Sequence, residues 1–507
     1  MKKWLIGLFC VSMAFAFGNE PAQAESDSPK RELRAVWIAS VNNIDWPPRK
    51  GASAEIQQAE FIAQLEETTE MGMNAVVVQI KPTADSFYPS EYGPWSEYLT
   101  GVQGGDPGYD PLAFMIEEAH KRNLEFHAWV NPYRITMNHT DLNRLAEGHP
   151  ARENPDWTVA YGNQLYFDPG IPAVQQFLVD GVNEIVANYD VDAIHMDDYF
   201  YPYPIAGQPF PDDASFSEYG HGFTNRADWR RNNVNTLVAS LQQSIKAEKS
   251  HVKFGISPFG VWRNISTDPT GSNTRAGVQN YDDLYADTRQ WIQQGSIDYI
   301  TPQIYWNIGF AAAAFDVLVD WWQQETAGSN THVYVGQATY KIGVNSVPEW
   351  HDPEEYSRQI AYLRDRNGVH GSMHFSLKDL RANRLGSRDR LIQDEYAQPS
   401  LIPVMPWLGG EAPPNPQKIA PKRTKHGISL KIHDKGENAT YYAVYRFEGS
   451  KAGSVDDEAS LIGTVRKTGS KTTFIDDGAE SGQTYTYVVT ALDRLHHESS
   501  GRERTIR

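Results

Sequence analysis

The chain has 507 residues, enough for one large domain and a smaller one. Its net charge of −18 argues against nucleic-acid binding, which calls for a basic face to meet phosphate, and the acids are spread as on an ordinary solvated surface. Hydrophobic residues make up 40% and aromatics 12%, including 14 Trp and 26 Tyr, which suits stacking on flat apolar faces as well as core packing.

The chain begins with a segment built for export. Lys2 and Lys3 precede an apolar stretch over 4–17, too short to anchor in a membrane, and Ala22-Gln23-Ala24 has the small-x-small form of a signal-peptidase site. Cleavage is expected after Ala24, giving a secreted or cell-wall-associated protein. The one cysteine, Cys10, lies inside that segment, so a mature chain would carry no disulfide. Phe9 before Cys10 is too bulky for a typical lipoprotein site. No later stretch is long and apolar enough for a transmembrane segment.

From there, short β-branched or apolar runs recur at 34–40, 74–80, 124–130, 191–196, 252–258, 297–305, 332–338 and 369–375. Helical patterns lie between them, over 54–71, 110–122, 172–189, 225–248, 281–294, 312–326 and 353–366. Asp110-Pro111 and Asp352-Pro353 have the cap-then-proline form of a helix start. Strands alternating with helices imply a parallel sheet, and the count is that of a (β/α)8 barrel of class α/β over 25–396. A doubly wound open sheet has less support, because no glycine-rich phosphate loop follows any strand. Residues 397–416 are rich in Pro and Gly and read as a linker. Beyond them, 417–507 alternate as short strands split by turns, the pattern of an all-β sandwich whose end, "GQTYTYVVTALDRLHHESSG", looks like fibronectin type III.

A barrel puts its active site at the C-terminal ends of the strands. Taken with strand parity, those ends offer Gln79 and Lys81, His127, Trp129 and Asn131, His195 and Asp197, Ser257, Gln303 and Tyr305, Gln337, and His374 and Ser376. Amides and acids hydrogen-bond sugar hydroxyls, and aromatic rings stack on pyranose faces, so the set suits a polysaccharide. Glycosidic cleavage needs two carboxyl functions. "VDAIHMDDYFYP" delivers Asp197 and Asp198 together at the end of a buried run. Neighbours on a strand point to opposite faces, so these two form a two-sided pair only if the strand breaks or bulges there. Asp85, Glu91 and Asp168 are further carboxylates within reach, each also readable as a turn or cap residue. If the substrate carries an N-acetyl group, that group can be the internal nucleophile, and adjacent acids fit that division of labour. Metal binding is the rival use, with His195, Asp197 and Asp198 joined by His374 or His127, but no HxH or HExxH spacing appears; no metal or other cofactor is expected.

The combination "RAVWIASVNNIDWP", "QIKPTADSFYPSEYGPWSEYLTG", "PGYDPLAFMIEEAHKRNLEFHAWVNPYR", "HMDDYFYP" and "PQIYW" resembles the glycosyl hydrolase-like family ten, in order and at fitting spacing over about 31–390. The resemblance implies a (β/α)8 barrel and a glycosidase acting on peptidoglycan strands stripped of stem peptides. It implies that Asp197 and Asp198 are catalytic, that "NPYR" brings Asn131 and Arg134 to the sugar, and that "PQIYW" does the same for Gln303, Tyr305 and Trp306. With the strand-end residues, Trp37, Lys81, Asp85, Trp129, His195, Tyr199, Gln337 and His374 complete the expected substrate-binding set. Members of the family are often lipoproteins, and the context of Cys10 departs from that. A non-catalytic carbohydrate-binding protein and a metal-dependent sugar deacetylase remain the alternatives.

Overall fold

A computed structural model describes residues 28–507; the expected export segment and Cys10 lie outside the described residues. The strands of the first domain are β1 (Leu33–Ile38), β2 (Ala75–Lys81), β3 (Glu125–Val130), a hairpin of β4 (Thr158–Tyr161) and β5 (Gln164–Phe167), β6 (Ala193–Met196), β7 (Lys253–Ile256), β8 (Tyr299–Ile300), β9 (His332–Gln337) and β10 (Val369–His374). Eight of them close a parallel barrel in the order β1-β10-β9-β8-β7-β6-β3-β2. Each of the eight apolar runs of the sequence supplies one barrel strand, and the hairpin β4–β5 is an insertion above it. The fold is the (β/α)8 barrel of class α/β.

The helices follow from capping and periodicity. Asp110 accepts a hydrogen bond from Ala113 N with Pro111 in the first turn, as its sequence indicated. Asp352-Pro353 instead ends a short 3-10 turn, and the helix starts two residues later, at Glu355.

Side chains that alternate inward fill the barrel. Leu33, Ala35, Trp37 and Ala39 of the first strand and its end, Ala75 and Val77, Trp129, Ala193, Tyr299, Tyr334 and Met373 form one buried cluster. Outward-facing Val, Ile and Phe residues pack against the helices in a second, larger cluster. The interior is tight enough that a glycine is required at position 255: a Cβ there would lie 2.1 Å from the Tyr299 ring. Two register shifts interrupt the alternation, between Gln79 and Lys81 in β2 and between Val369 and Ser372 in β10. Such a bulge turns the following residue to the other face.

The second domain has β11 (Lys418–Thr424), β12 (Gly427–His433), β13 (Tyr441–Glu448), β14 (Leu461–Arg466), β15 (Lys471–Asp476), β16 (Tyr485–Leu492) and β17 (Arg502–Ile506). They form two antiparallel sheets, β11-β12-β15 and β14-β13-β16-β17, around their own apolar core. This domain docks on the floor of the barrel, at the N-terminal strand ends. There Asn123 Nδ2 donates to Thr464 Oγ1 at 3.0 Å, and Arg494 pairs with Asp190 at 2.8 Å. The Pro- and Gly-rich stretch between the domains is packed where it crosses this floor: Leu401 bonds Lys30 and Glu32 through the main chain, and Ile402 and Met405 join the cluster inside the barrel. No helix among the described residues is long and apolar enough to cross a membrane.

Candidate active site

At the opposite, C-terminal end of the barrel, β6 stops at Met196, so Asp197 and Asp198 stand in the loop beyond it rather than on a pleated strand. Strand alternation no longer separates them. Both are buried, with relative exposures of 3% and 6%, and each has its own set of donors.

Asp197 receives nitrogen donors on both oxygens. Trp129 Nε1 donates to Oδ2 at 3.0 Å, Asn131 Nδ2 lies 3.0 Å from both oxygens, and Tyr199 N donates to Oδ1 at 3.3 Å. The orientation of the Asn131 amide is fixed because its oxygen accepts Arg134 N at 3.0 Å. Asp198 receives Gln303 Nε2 on Oδ1 at 3.0 Å and the Tyr203 hydroxyl on Oδ2. Arg134, held by the carbonyl of Pro82 and lying 4.9 Å over the Tyr199 ring, contributes positive charge to both carboxyls.

Burial pushes both carboxyls up. Asp197 rises to about 6 because burial and the adjacent Asp198 charge outweigh Arg134 and its donors. Asp198 is raised by burial against the bonds from Tyr203 and Gln303. Their donors separate their chemistry. The Trp and amide nitrogens around Asp197 can only donate, so they favour its carboxylate form. A hydroxyl can turn from donor to acceptor, so Tyr203 can accept a proton held on Asp198 Oδ2. The loop thus holds two carboxyls that burial raises, one gripped by N–H donors alone and one also by a hydroxyl that can donate or accept.

Half-buried rings, together with the exposed Tyr340, stand around the pair. Tyr199 and Tyr203 meet edge to face at 5.7 Å, Phe259 meets Trp306 at 5.6 Å and Tyr305 meets Tyr340 at 5.7 Å. Phe375 links Tyr305 at 6.2 Å to Trp129 at 6.4 Å. Such a rim can stack on the apolar face of a sugar.

Of the residues expected from sequence, Trp129, Asn131, Arg134, Tyr199 and Gln303 contact or electrostatically face the two acids, and Tyr305 and Trp306 stand on the rim. Others stand elsewhere. The bulge after Gln79 turns Lys81 outward, where its amine donates to Ser86 Oγ at 2.6 Å; burial lowers it to about 8. The inner face of β9 is taken by Tyr334 and by Gly336 under Trp37, so Gln337 points to the helix layer and donates to Gln359 Oε1 at 3.3 Å. His374, beyond the irregular register of β10, also faces outward and lies between the hydroxyls of Tyr356 at 2.6 Å and Tyr396 at 2.9 Å. Trp37 and His195 do point inward but lie a layer below the acids, bonded to one another at 3.3 Å. Asp85 is a buried loop residue that accepts from Gln103 at 3.2 Å, Asp168 accepts from Ser215 and Gly170 N, and Glu91 is exposed. Among the described residues no three His, Cys, Asp or Glu side chains gather as a metal-holding group.

Sequence reasoning passed over Tyr203, Phe259, Tyr340 and Phe375. Tyr203 was within view, since it belongs to the aromatic run that follows the two acids. The other three come from separate loops and carry no local motif.

The model of the family described as Glycosyl hydrolase-like 10 matches residues 32–352. The chain is 60% identical to "Glycosyl hydrolase YngK" of Bacillus subtilis (strain 168), over 99% of this chain and 97% of that protein. It is 42% identical to "Glycosyl hydrolase DigH" of Escherichia coli (strain K12), over 66% of this chain and 79% of that protein. Among solved structures, the glycoside hydrolase domain of PgaB (BpsB) from Bordetella bronchiseptica aligns with a TM-score of 0.46 at 11% identity, over 71% of this chain and 98% of that one. By the extent of the family match and its identity to these relatives, the chain belongs to the glycosyl hydrolase-like family ten.

Proposed function

We propose that this protein is a secreted glycoside hydrolase that cleaves O-glycosidic bonds of a bacterial cell-wall glycan, with peptidoglycan strands lacking stem peptides as its substrate. One observation carries the reading: two buried carboxyls, each raised by burial and each with its own donors, share one loop inside a rim of half-exposed aromatic rings. Membership of the family and the names of its relatives support hydrolysis of a glycoside. The strand orders β11-β12-β15 and β14-β13-β16-β17 support reading the second domain as a fibronectin type III-like module, and the basic-then-apolar N-terminus supports export with cleavage after Ala24.

In this reading Asp198 is the general acid and Asp197 the charged partner. Retaining and inverting pairs flank the scissile bond, with carboxyls about 5 Å or roughly 6.5–9.5 Å apart on its two sides. Here both carboxyls belong to adjacent residues of one loop. That placement favours assistance by a 2-acetamido group of the substrate. Its carbonyl oxygen bonds to C1 while the C1–O bond breaks and the Asp198 proton passes to the leaving oxygen; Asp197 accepts the amide N–H and balances the positive charge of the ring so formed. Water, deprotonated by Asp198, then reopens that ring.

The test uses the chain from Glu25 with purified peptidoglycan, intact and after amidase removal of stem peptides, alongside Asp198→Asn. New reducing ends from the stripped glycan, absent in the variant, are expected. No release from either material by the unaltered protein overturns the reading.

A further inference from the structure

Beneath the acids, a continuous hydrogen-bonded chain runs down the barrel axis to the second domain. Trp37 Nε1 lies 3.3 Å and Ser257 Oγ 2.9 Å from His195 Nε2. His195 Nδ1 is 3.1 Å from the Tyr299 hydroxyl, which is 2.9 Å from His127 Nδ1. His127 Nε2 is 3.0 Å from Glu125 Oε2. Glu125 also receives Lys253, and His496 of the second domain at 2.7 Å on Oε1. Every one of these residues is nearly or fully buried.

The direction of the chain can be assigned from one group. An indole N–H can only donate, so His195 Nε2 must be bare to accept it. His195 then carries its proton on Nδ1 and donates to the Tyr299 oxygen. The Tyr299 hydroxyl therefore donates to His127 Nδ1, which must be bare, and His127 Nε2–H donates to Glu125. All donors point toward one carboxylate on the barrel floor. Burial alone would raise Glu125, but Lys253, His496 and the bond from His127 hold it well below the usual carboxylate range. His496 closes this end, since Tyr441 OH lies 3.0 Å from its Nδ1 and leaves Nε2–H to donate to Glu125. Hydrogen bonds aligned in this way polarise and strengthen one another in a low-dielectric interior.

The upper end reaches the acids by two routes. Gln303 Nε2 donates both to the main-chain oxygen of Ser257, at 2.9 Å, and to Asp198 Oδ1. Asp197 follows His195 by two residues, in the loop just past the end of β6. We infer that the Glu125–His127–Tyr299–His195 chain, completed from the second domain by His496, is a positioning device: it locks one orientation of His195 and Ser257 and thereby holds Gln303 and the Asp197–Asp198 loop for catalysis. The inference rests on the hydrolase reading above. It also gives the second domain a part in turnover from the face of the barrel opposite the cleft, without contact with substrate.

The experiment combines ring-nitrogen NMR of 15N-histidine-labelled protein, with His195 assigned through His195→Asn, and kinetics of Tyr299→Phe, His496→Ala and His496→Gln. His195 is expected to carry its proton on Nδ1 alone. Tyr299→Phe should lose that single form and lower kcat by about tenfold or more with KM changed little, as for misplacement of reacting groups. His496→Ala should lower kcat in the same manner, and His496→Gln, which keeps an N–H for Glu125, should recover much of it. His195 protonated at Nε2 in the unaltered protein overturns the assignment, whether or not Tyr299→Phe folds. Unchanged kcat in a folded Tyr299→Phe or in His496→Ala overturns the positioning role alone. Absence of turnover by the unaltered protein overturns the hydrolase reading and the positioning role with it.

Discussion

Gln303 Nε2 lies 3.0 Å from Asp198 Oδ1, while Trp129 Nε1 lies 3.0 Å from Asp197 Oδ2, so adjacent acids are gripped from different strand ends. Adjacent carboxylates in a buried loop repel one another, and the fold tolerates them by giving each its own donors. That division leads to the first expectation. Asp198→Asn should reduce kcat by roughly a hundred- to ten-thousandfold, the usual contribution of a general acid, while glycan binding persists. Asp197→Asn should fall within a similar range, and the double variant should lose far less than the product of the two. Equal activity in Asp198→Asn and the unaltered protein would remove Asp198 from the chemistry.

The pair was legible because its signal is local: a buried apolar run ending in two acids and a string of aromatic residues. Asn131, just beyond an apolar run, and Gln303, toward the end of another, were legible for the same reason. Lys81 and His374 face the helix layer, not the cleft, because bulges that only main-chain pairing reveals break the count by twos. Gln337 also faces away from the cleft: a polar residue at a strand end can satisfy itself against the helix layer, and nothing local says which face it takes. The eight strands were legible throughout, since parallel strands buried on both faces stand out as apolar runs. The axial chain was not, because Glu125, His127, His195 and Tyr299 lie on three strands and His496 in the second domain, and no local motif joins them.

Tyr203→Phe addresses the proton on Asp198. Burial raises this carboxyl, and the Tyr203 bond is the largest influence lowering it. Removing the hydroxyl should raise it further. An acid must be protonated to act, so activity falls as pH rises through the apparent value of the pair, and in Tyr203→Phe that alkaline limb should move to higher pH. Rate–pH profiles of the two proteins check this. A limb that stays in place or moves down would show that Tyr203 does not act on Asp198.

Trp306→Ala tests the rim. The Trp306 ring is half-buried and packed edge-on against Phe259, leaving surface for stacking. Its loss should weaken binding by about 1 kcal/mol, roughly a fivefold rise in KM, with a smaller change in kcat. The reverse split, kcat lowered with KM intact, would place the ring at the reacting centre instead.

The stereochemistry of the product tests acetamido assistance. Attack at C1 by the carbonyl oxygen inverts once and water inverts again, so NMR of the first product should show the anomer of the substrate retained. A thiazoline analogue of the bicyclic intermediate should inhibit. Inversion, or retention with no inhibition by the thiazoline, would return the second role to a separate carboxylate.

Gly255→Ala tests the space on which the axial chain depends. A Cβ at this position would sit 2.1 Å from Cε2 and Cζ of Tyr299, closer than any real contact, and Tyr299 is wholly buried among Tyr334, His127 and His195. The ring cannot retreat without displacing its neighbours, since well-packed interiors lack spare volume. Overpacking of this kind should destabilise the fold by about 1–3 kcal/mol in urea unfolding. It should also move the Tyr299 hydroxyl away from His127 and His195, so the ring-nitrogen spectrum should change toward that of Tyr299→Phe. Full stability with an unaltered spectrum would mean that the barrel interior yields at this layer, and the position of Tyr299 could not then be what holds the chain in one direction.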